Sequence, residues 1–239
     1  MKPFIFNPGE HIERNLFLSV EHLMALYLFG ALIFWLYLYR HHSFMRQTRW
    51  ILFGTLIISE IGLIIWSIVN GLWDIRYNLP LHLCTISLLS SSFMLATNSH
   101  RVFEIIYIFG IGGAFQAIIT PELFYTFPHF RFLHYFIAHF AIILAILYMI
   151  WVCNFTITIY SAIKAFFVLN GIAVVAFIVN HLTGANYMFL ARKPATPSLL
   201  DWLGPYPWYI IQLELIVIIV FGLLCVPFYF KNWFYMRFK

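Results

Sequence analysis

The chain has 239 residues, 63% of them hydrophobic and only 10% charged, with a mean hydropathy of +0.87 and a formal net charge of +5. No soluble domain of this length covers so many apolar atoms with polar surface, so the class is integral membrane and the solvent is lipid. The small positive excess fits contact with anionic headgroups and implies no nucleic acid.

Apolar runs near the roughly 18–20 residues that cross a bilayer recur along the chain, and each must be helical because hydrocarbon cannot satisfy a free amide. The pattern predicts an all-α polytopic membrane protein: one integral membrane domain over 1–239, a bundle of seven transmembrane helices. They fall at about 18–39, 50–70, 81–97, 102–119, 132–152, 161–180 and 206–229. Asp74, Pro80, Asn98, Pro121, Pro128, Asn154 and the segment 181–205 separate them. The first run is long, follows charged residues and lacks a small-residue cleavage pattern, so it reads as a span and not a signal peptide. An N-terminus outside and a C-terminus in the cytoplasm put Arg40, Arg46, Arg49, Arg101, Lys164, Lys231, Arg237 and Lys239 inside. Lys2, Arg14, Arg76, Arg131, Arg192 and Lys193 are then outside.

Taken in chain order, the polar residues within these runs gather in one half. Glu21 and His22 open the first span, His82 and Cys84 the third; His134 and His139 lie early in the fifth, Asn180 and His181 close the sixth, and Gln212 and Glu214 lie early in the seventh. Cys84, His134 and His139 therefore fall within about 15 Å of the same surface. A single intramembrane histidine is ordinarily a helix-to-helix hydrogen-bonding residue. Several on different helices at one depth read instead as a polar pocket. Glu60, midway along the second span, has no counterpart at its level.

Cys153 and Cys225 lie toward the opposite surface, too far from Cys84 for a disulfide, and read as small buried hydrophobes. Cys84 follows "LPLH", a helix start that places the thiol in the first turn, where the helix N-terminus accommodates a thiolate and a nearby histidine can take the proton. On a helix, His82 would point about 200° away from Cys84, so the base is expected from the fifth span. His134 and His139 are about 140° apart there, so one of them faces the thiol.

"LPLHLC" before the third span, "HYFIAHF" in the fifth, and "NYMFLARKP" followed by "LGPYPWY" before the last resemble the YwaF family of bacterial integral membrane proteins. That family is related to the animal transmembrane-protein-164 acyltransferases. The resemblance covers nearly the whole chain and implies a seven-helix domain of the bacterial cytoplasmic membrane that remodels phospholipids. A cysteine and a histidine would form an acyl thioester and transfer the acyl group to a lysophospholipid or another lipid hydroxyl. Matched onto this sequence, the nucleophile is Cys84 and the base His139, with His134 in reserve. No metal or nucleotide cofactor is required.

The connection before the last span, "HLTGANYMFLARKPATPSLLDWLGPYPWY", runs to about 29 residues, a length usual for a lid, a re-entrant element or a disordered segment, and its composition argues against disorder. Tyr187, Met188, Phe189, Leu190, Leu199, Leu200, Trp202 and Trp208 give it an apolar face, while Gly204, Pro205 and Pro207 turn it into the last helix. An ordinary interfacial aromatic belt would look similar. As a lid, it would bring Arg192 and Lys193 to a phosphate, and Asn180, Asn186 and Tyr187 to a carbonyl oxygen that becomes anionic. The substrate-contacting set is completed by His82, His181, Asp201, Trp208, Gln212 and Glu214.

Two other readings use the same residues. His82, His134, His139 and His181 with Glu214 or Asp201 would be ligands of a metal-dependent lipid hydrolase, although no tight ligand spacing is present. A lipid or small-molecule transporter would use the cluster as a binding site, although no inverted repeat or paired broken helix is visible.

Overall fold

Hydroxyl side chains set several of the helix starts. The computed structural model describes residues 4–9, 16–194 and 199–237, which contain seven α-helices and no strand. The helices are α1 (Val20–Tyr39), α2 (Met45–Val69), α3 (Leu83–Thr97), α4 (His100–Ile119), α5 (Phe130–Trp151), α6 (Ile159–Thr183) and α7 (Trp208–Arg237). Ser19 Oγ accepts from the His22 amide at 3.2 Å to open α1. Ser99 Oγ accepts from Val102 at 3.4 Å at α4, and Thr158 and Ser161 form a reciprocal capping box at α6. Each cap satisfies amides that hydrocarbon would leave bare.

Six helices are long and apolar enough to cross a bilayer, and the chain is a multi-pass membrane protein. The seventh, α3, has 15 residues and rises about 22 Å, short of the roughly 30 Å of a hydrocarbon core. The expectation that this span starts at 81 needs correction. Leu81 lies in a turn closed by its amide on the Leu79 carbonyl at 2.8 Å, and His82 is extended as the N-cap. Other boundaries move by a few residues too, and α7 runs on to Arg237. Helix α2 begins at Met45, α6 continues to Thr183 before Gly184 closes it at φ +73, and α7 starts at Trp208. The polar residues at these helix ends mask the extra turns, because long cationic side chains sit comfortably where a helix leaves the hydrocarbon.

Arg49 illustrates this. From α2 its guanidinium donates to the Leu95 carbonyl at 2.5 Å and the Ala96 carbonyl at 3.1 Å, capping the last turn of α3. Helix α5 is the axis of the bundle: it packs against α1, α2, α3 and α4, and 67% of its apolar stretch is enclosed, against 11% for α7. Around it lie Leu56, Met94, Leu95, Phe103, Ile106 and Ile108, all fully buried, and Phe29 stacks on Phe140 at 4.7 Å. Lipid is as apolar as these side chains, so close packing and interhelical hydrogen bonds, not water exclusion, hold the helices together. At one end of the bundle, Glu104 of α4 accepts from Ser161 Oγ at 2.6 Å and from Lys164 Nζ at 3.0 Å, tying α4 to α6. At the other end, His22 joins α1 to α4. Its Nε2 meets the Ile118 carbonyl at 2.8 Å and its Nδ1 accepts from the Leu18 amide.

Candidate functional site

The short helix α3 decides the depth of Cys84. Beyond its C-cap, Asn98 Oδ1 receives the Cys153 thiol at 3.6 Å just past the end of α5, so α3 and α5 are level there. Counted back at 1.5 Å per residue, Cys84 and His139 both lie about 21 Å from that end, the same depth on two packed helices. Glycines on α4 permit this approach. A Cβ at Gly113 would meet Leu83 Cδ2 at 3.2 Å, and one at Gly110 would meet Ile146 Cδ1 at 3.2 Å, so a side chain at either position would need its neighbour to give by a few tenths of an ångström.

His139 is buried, and its Nδ1 lies 2.6 Å from the Tyr135 carbonyl. A carbonyl only accepts, so Nδ1 carries the proton and the lone pair is on Nε2, the tautomer a general base requires. Tyr135 stands one turn away, its ring 4.4 Å from the His139 ring and its hydroxyl donating to the Ala117 carbonyl at 2.9 Å. Tyr135 is not among the site residues to which the sequence points. The four-residue spacing to His139 inside "HYFIAHF" is the signal that would have found it.

His134 turns elsewhere. It faces the backbone of Ser59 on α2 without reaching hydrogen-bond geometry, and both its ring nitrogens are buried without a partner. On α3, below Cys84, the hydroxyls of Ser87 and Ser91 are likewise buried and unpartnered, on the face that carries the thiol. Cys84, Cys153 and Cys225 are free thiols. Glu60 makes no hydrogen bond or ion pair among the described residues.

His82 is not on the helix at all, so the expected 200° rotation from Cys84 does not apply. As the extended N-cap it packs edge-on against Tyr187, ring centroids 4.9 Å apart. Tyr187 is the pin of the long connection. Asn180 holds it from both sides, its Oδ1 accepting from the Tyr187 amide at 2.7 Å and its Nδ2 donating to the Tyr187 carbonyl at 3.0 Å. The Tyr187 hydroxyl donates to the Ile75 carbonyl at 2.5 Å and accepts from the Leu79 amide at 2.9 Å. Desolvation pushes this phenol above its ordinary range, so it remains a donor. Ile75 and Leu79 belong to the turn before α3, whose Asp74 carboxyl is held below the usual carboxylate range by Arg76.

The remaining expected contact residues mostly build this same layer. Asn186 Nδ2 donates to the Arg192 carbonyl, and its Oδ1 accepts from the Ala191 and Arg192 amides. Lys193 donates to the Leu203 carbonyl at 2.8 Å and Gln212 accepts from the Gly204 amide at 2.6 Å. Tyr209 donates to the Phe189 carbonyl. Glu214, deeper in α7, accepts from Asn170 of α6 at 3.3 Å. Asp201 and Trp208 are exposed. His181 and Arg192 line a cleft of about 340 Å³ with Asn180 and Tyr206. The part of the expected lid at 195–198 lies outside the described residues.

The ligands of the metal reading do not converge: among the described residues no three His, Cys, Asp or Glu are placed to hold one ion. A family model described as the TMEM164 family matches residues 17–225, spanning α1 to most of α7. No curated protein and no solved structure matches the chain.

Proposed function

As this chain belongs to the TMEM164 family, we propose that it is a membrane acyltransferase that remodels phospholipids through Cys84 and His139. The observation that carries this reading is the shared depth of the two residues, with the His139 lone pair left on Nε2. Cys84 Sγ attacks an ester carbonyl carbon while Nε2 takes the thiol proton. The ester C–O bond breaks, the proton passes to the departing lysophospholipid oxygen, and the acyl group stays as a thioester. A second lipid hydroxyl then gives its proton to Nε2 and attacks the thioester, and the proton returns to the departing sulfur.

The test is intact-mass measurement of protein purified from its own membrane. An added acyl mass in the wild type that is absent from Cys84→Ala is expected. An unmodified thiol after incubation with phospholipid would favour a carrier that only binds lipid.

The orientation belongs to the same proposal. With α3 counted as a seventh, shortened span, the N-terminus outside and the C-terminus inside, Cys84 opens toward the outer surface. In a variant whose native cysteines are replaced, an impermeant thiol reagent is expected to label a cysteine introduced at Asn78 and not one at Ser43. The reverse pattern would put the site on the cytoplasmic face.

A further inference from the structure

Arg131 is the second residue of α5, one turn before Tyr135 and two before His139. Each other half-buried cation among the described residues has an acceptor. Arg40 donates to the Tyr37 carbonyl, Arg49 to Leu95 and Ala96, and Lys193 to Leu203. Among the described residues the Arg131 guanidinium has neither a hydrogen bond nor a carboxylate. It lies 5.7 Å from the centre of the Trp66 ring. A guanidinium held at the rim of hydrocarbon without an acceptor is costly unless an anion completes it, and its planar fork suits a phosphate bidentately.

The surroundings say what carries that anion. Trp66 and Phe130 wall a cleft of about 430 Å³ between α2 and α5, floored by Gly62 and Ile65 and covered by Phe6. Its size is that of a small-molecule site, ~300–1,000 Å³, and its lining is almost wholly apolar. Ile61, Ile65 and Val69 beside it are exposed, so it opens sideways toward lipid. The Phe6 cover is tied down by its carbonyl, which accepts from Trp66 Nε1 at 3.2 Å. On α5 itself, Arg131 stands one turn before Tyr135.

We propose that Arg131 binds the phosphate of a glycerophospholipid whose chain lies in the cleft between α2 and α5. This rests on the acyl-transfer reading for its purpose but not for its test, since binding needs no thiol chemistry.

The full chain in nonionic detergent is titrated in native mass spectrometry with oleoyl lysophosphatidylglycerol, with monooleoylglycerol and with inorganic phosphate. The wild type is expected to hold the phosphate-bearing lipid about tenfold more tightly than the neutral one, as a charged hydrogen bond provides, and inorganic phosphate only weakly. Arg131→Gln should lose that preference while keeping monooleoylglycerol, and Arg131→Lys should restore most of it. The same titration on Cys84→Ala should match the wild type, so an inactive or a fully active Cys84→Ala enzyme leaves this result standing. Three outcomes overturn the proposal: Arg131→Gln keeps the preference, both lipids fall together in Arg131→Gln and Arg131→Lys alike, or inorganic phosphate binds as tightly as the lipid.

Discussion

Cys84→Ala is expected to abolish acyl transfer, and His139→Ala to lower it by about 10²–10⁴-fold, the usual contribution of a positioned general base. The double substitution should cost no more than Cys84→Ala alone, because groups that act as one unit are not additive. Cys84→Ser should leave a trace, since a hydroxyl in that place can use the same base but is a far weaker nucleophile at neutral pH. His134→Ala should be milder, because His134 stands about 7.5 Å along α5 from the level that His139 shares with Cys84. The measurement is transfer of a labelled acyl chain between phospholipids in reconstituted vesicles, with thermal unfolding in detergent as the control for folding. Full transfer by a folded Cys84→Ala would end the mechanism.

Asn180→Leu is expected to cause the largest loss of stability at a residue remote from the thiol. The substitution strands both the amide and the carbonyl of Tyr187, a residue with no exposed surface, and each unsatisfied buried group costs about 1–3 kcal/mol. The Tyr187 hydroxyl would lose its register on Ile75 and Leu79, and with it the turn that starts α3. Asn180→Asp should fall between, since a carboxylate still accepts from the Tyr187 amide but cannot donate to its carbonyl. Thermal unfolding in detergent reads the stability. Limited proteolysis reads the local effect, with cleavage expected between Gly184 and Leu203 in the variant before the helices are cut. An unfolding temperature equal to wild type would show that the loop is held by packing alone.

The orientation of Tyr187 also explains why the long connection looked richer in chemistry than its geometry is. Asn180, Asn186 and Tyr187 are the residue types that donate to an oxyanion, and they are also the types that fasten an irregular backbone where no helix satisfies it. Here their polar atoms meet amides and carbonyls of the connection itself and of the turn before α3. Arg131 shows the converse. In the sequence it counts only toward the charge on one side of the membrane, yet among the described residues it is the half-buried cation without an acceptor.

What the sequence determined by itself was the solvent, the helical class and the depth of the polar residues. Hydrocarbon admits few alternatives to a helix, a rise of 1.5 Å per residue converts position into depth, and a run of apolar residues is visible without any fold. The family was legible as well, through "LPLHLC" and "HYFIAHF". Only the tertiary structure decided that His139 lies level with Cys84 on a packed helix, that His82 lies off the helix, and that α3 stops short. Those outcomes depend on where Gly110 and Gly113 let helices close, on the Asn98 contact that sets their register, and on which carbonyl each side chain meets first. Such contacts join residues tens of positions apart, and the periodicity of one helix carries no record of the helix packed against it.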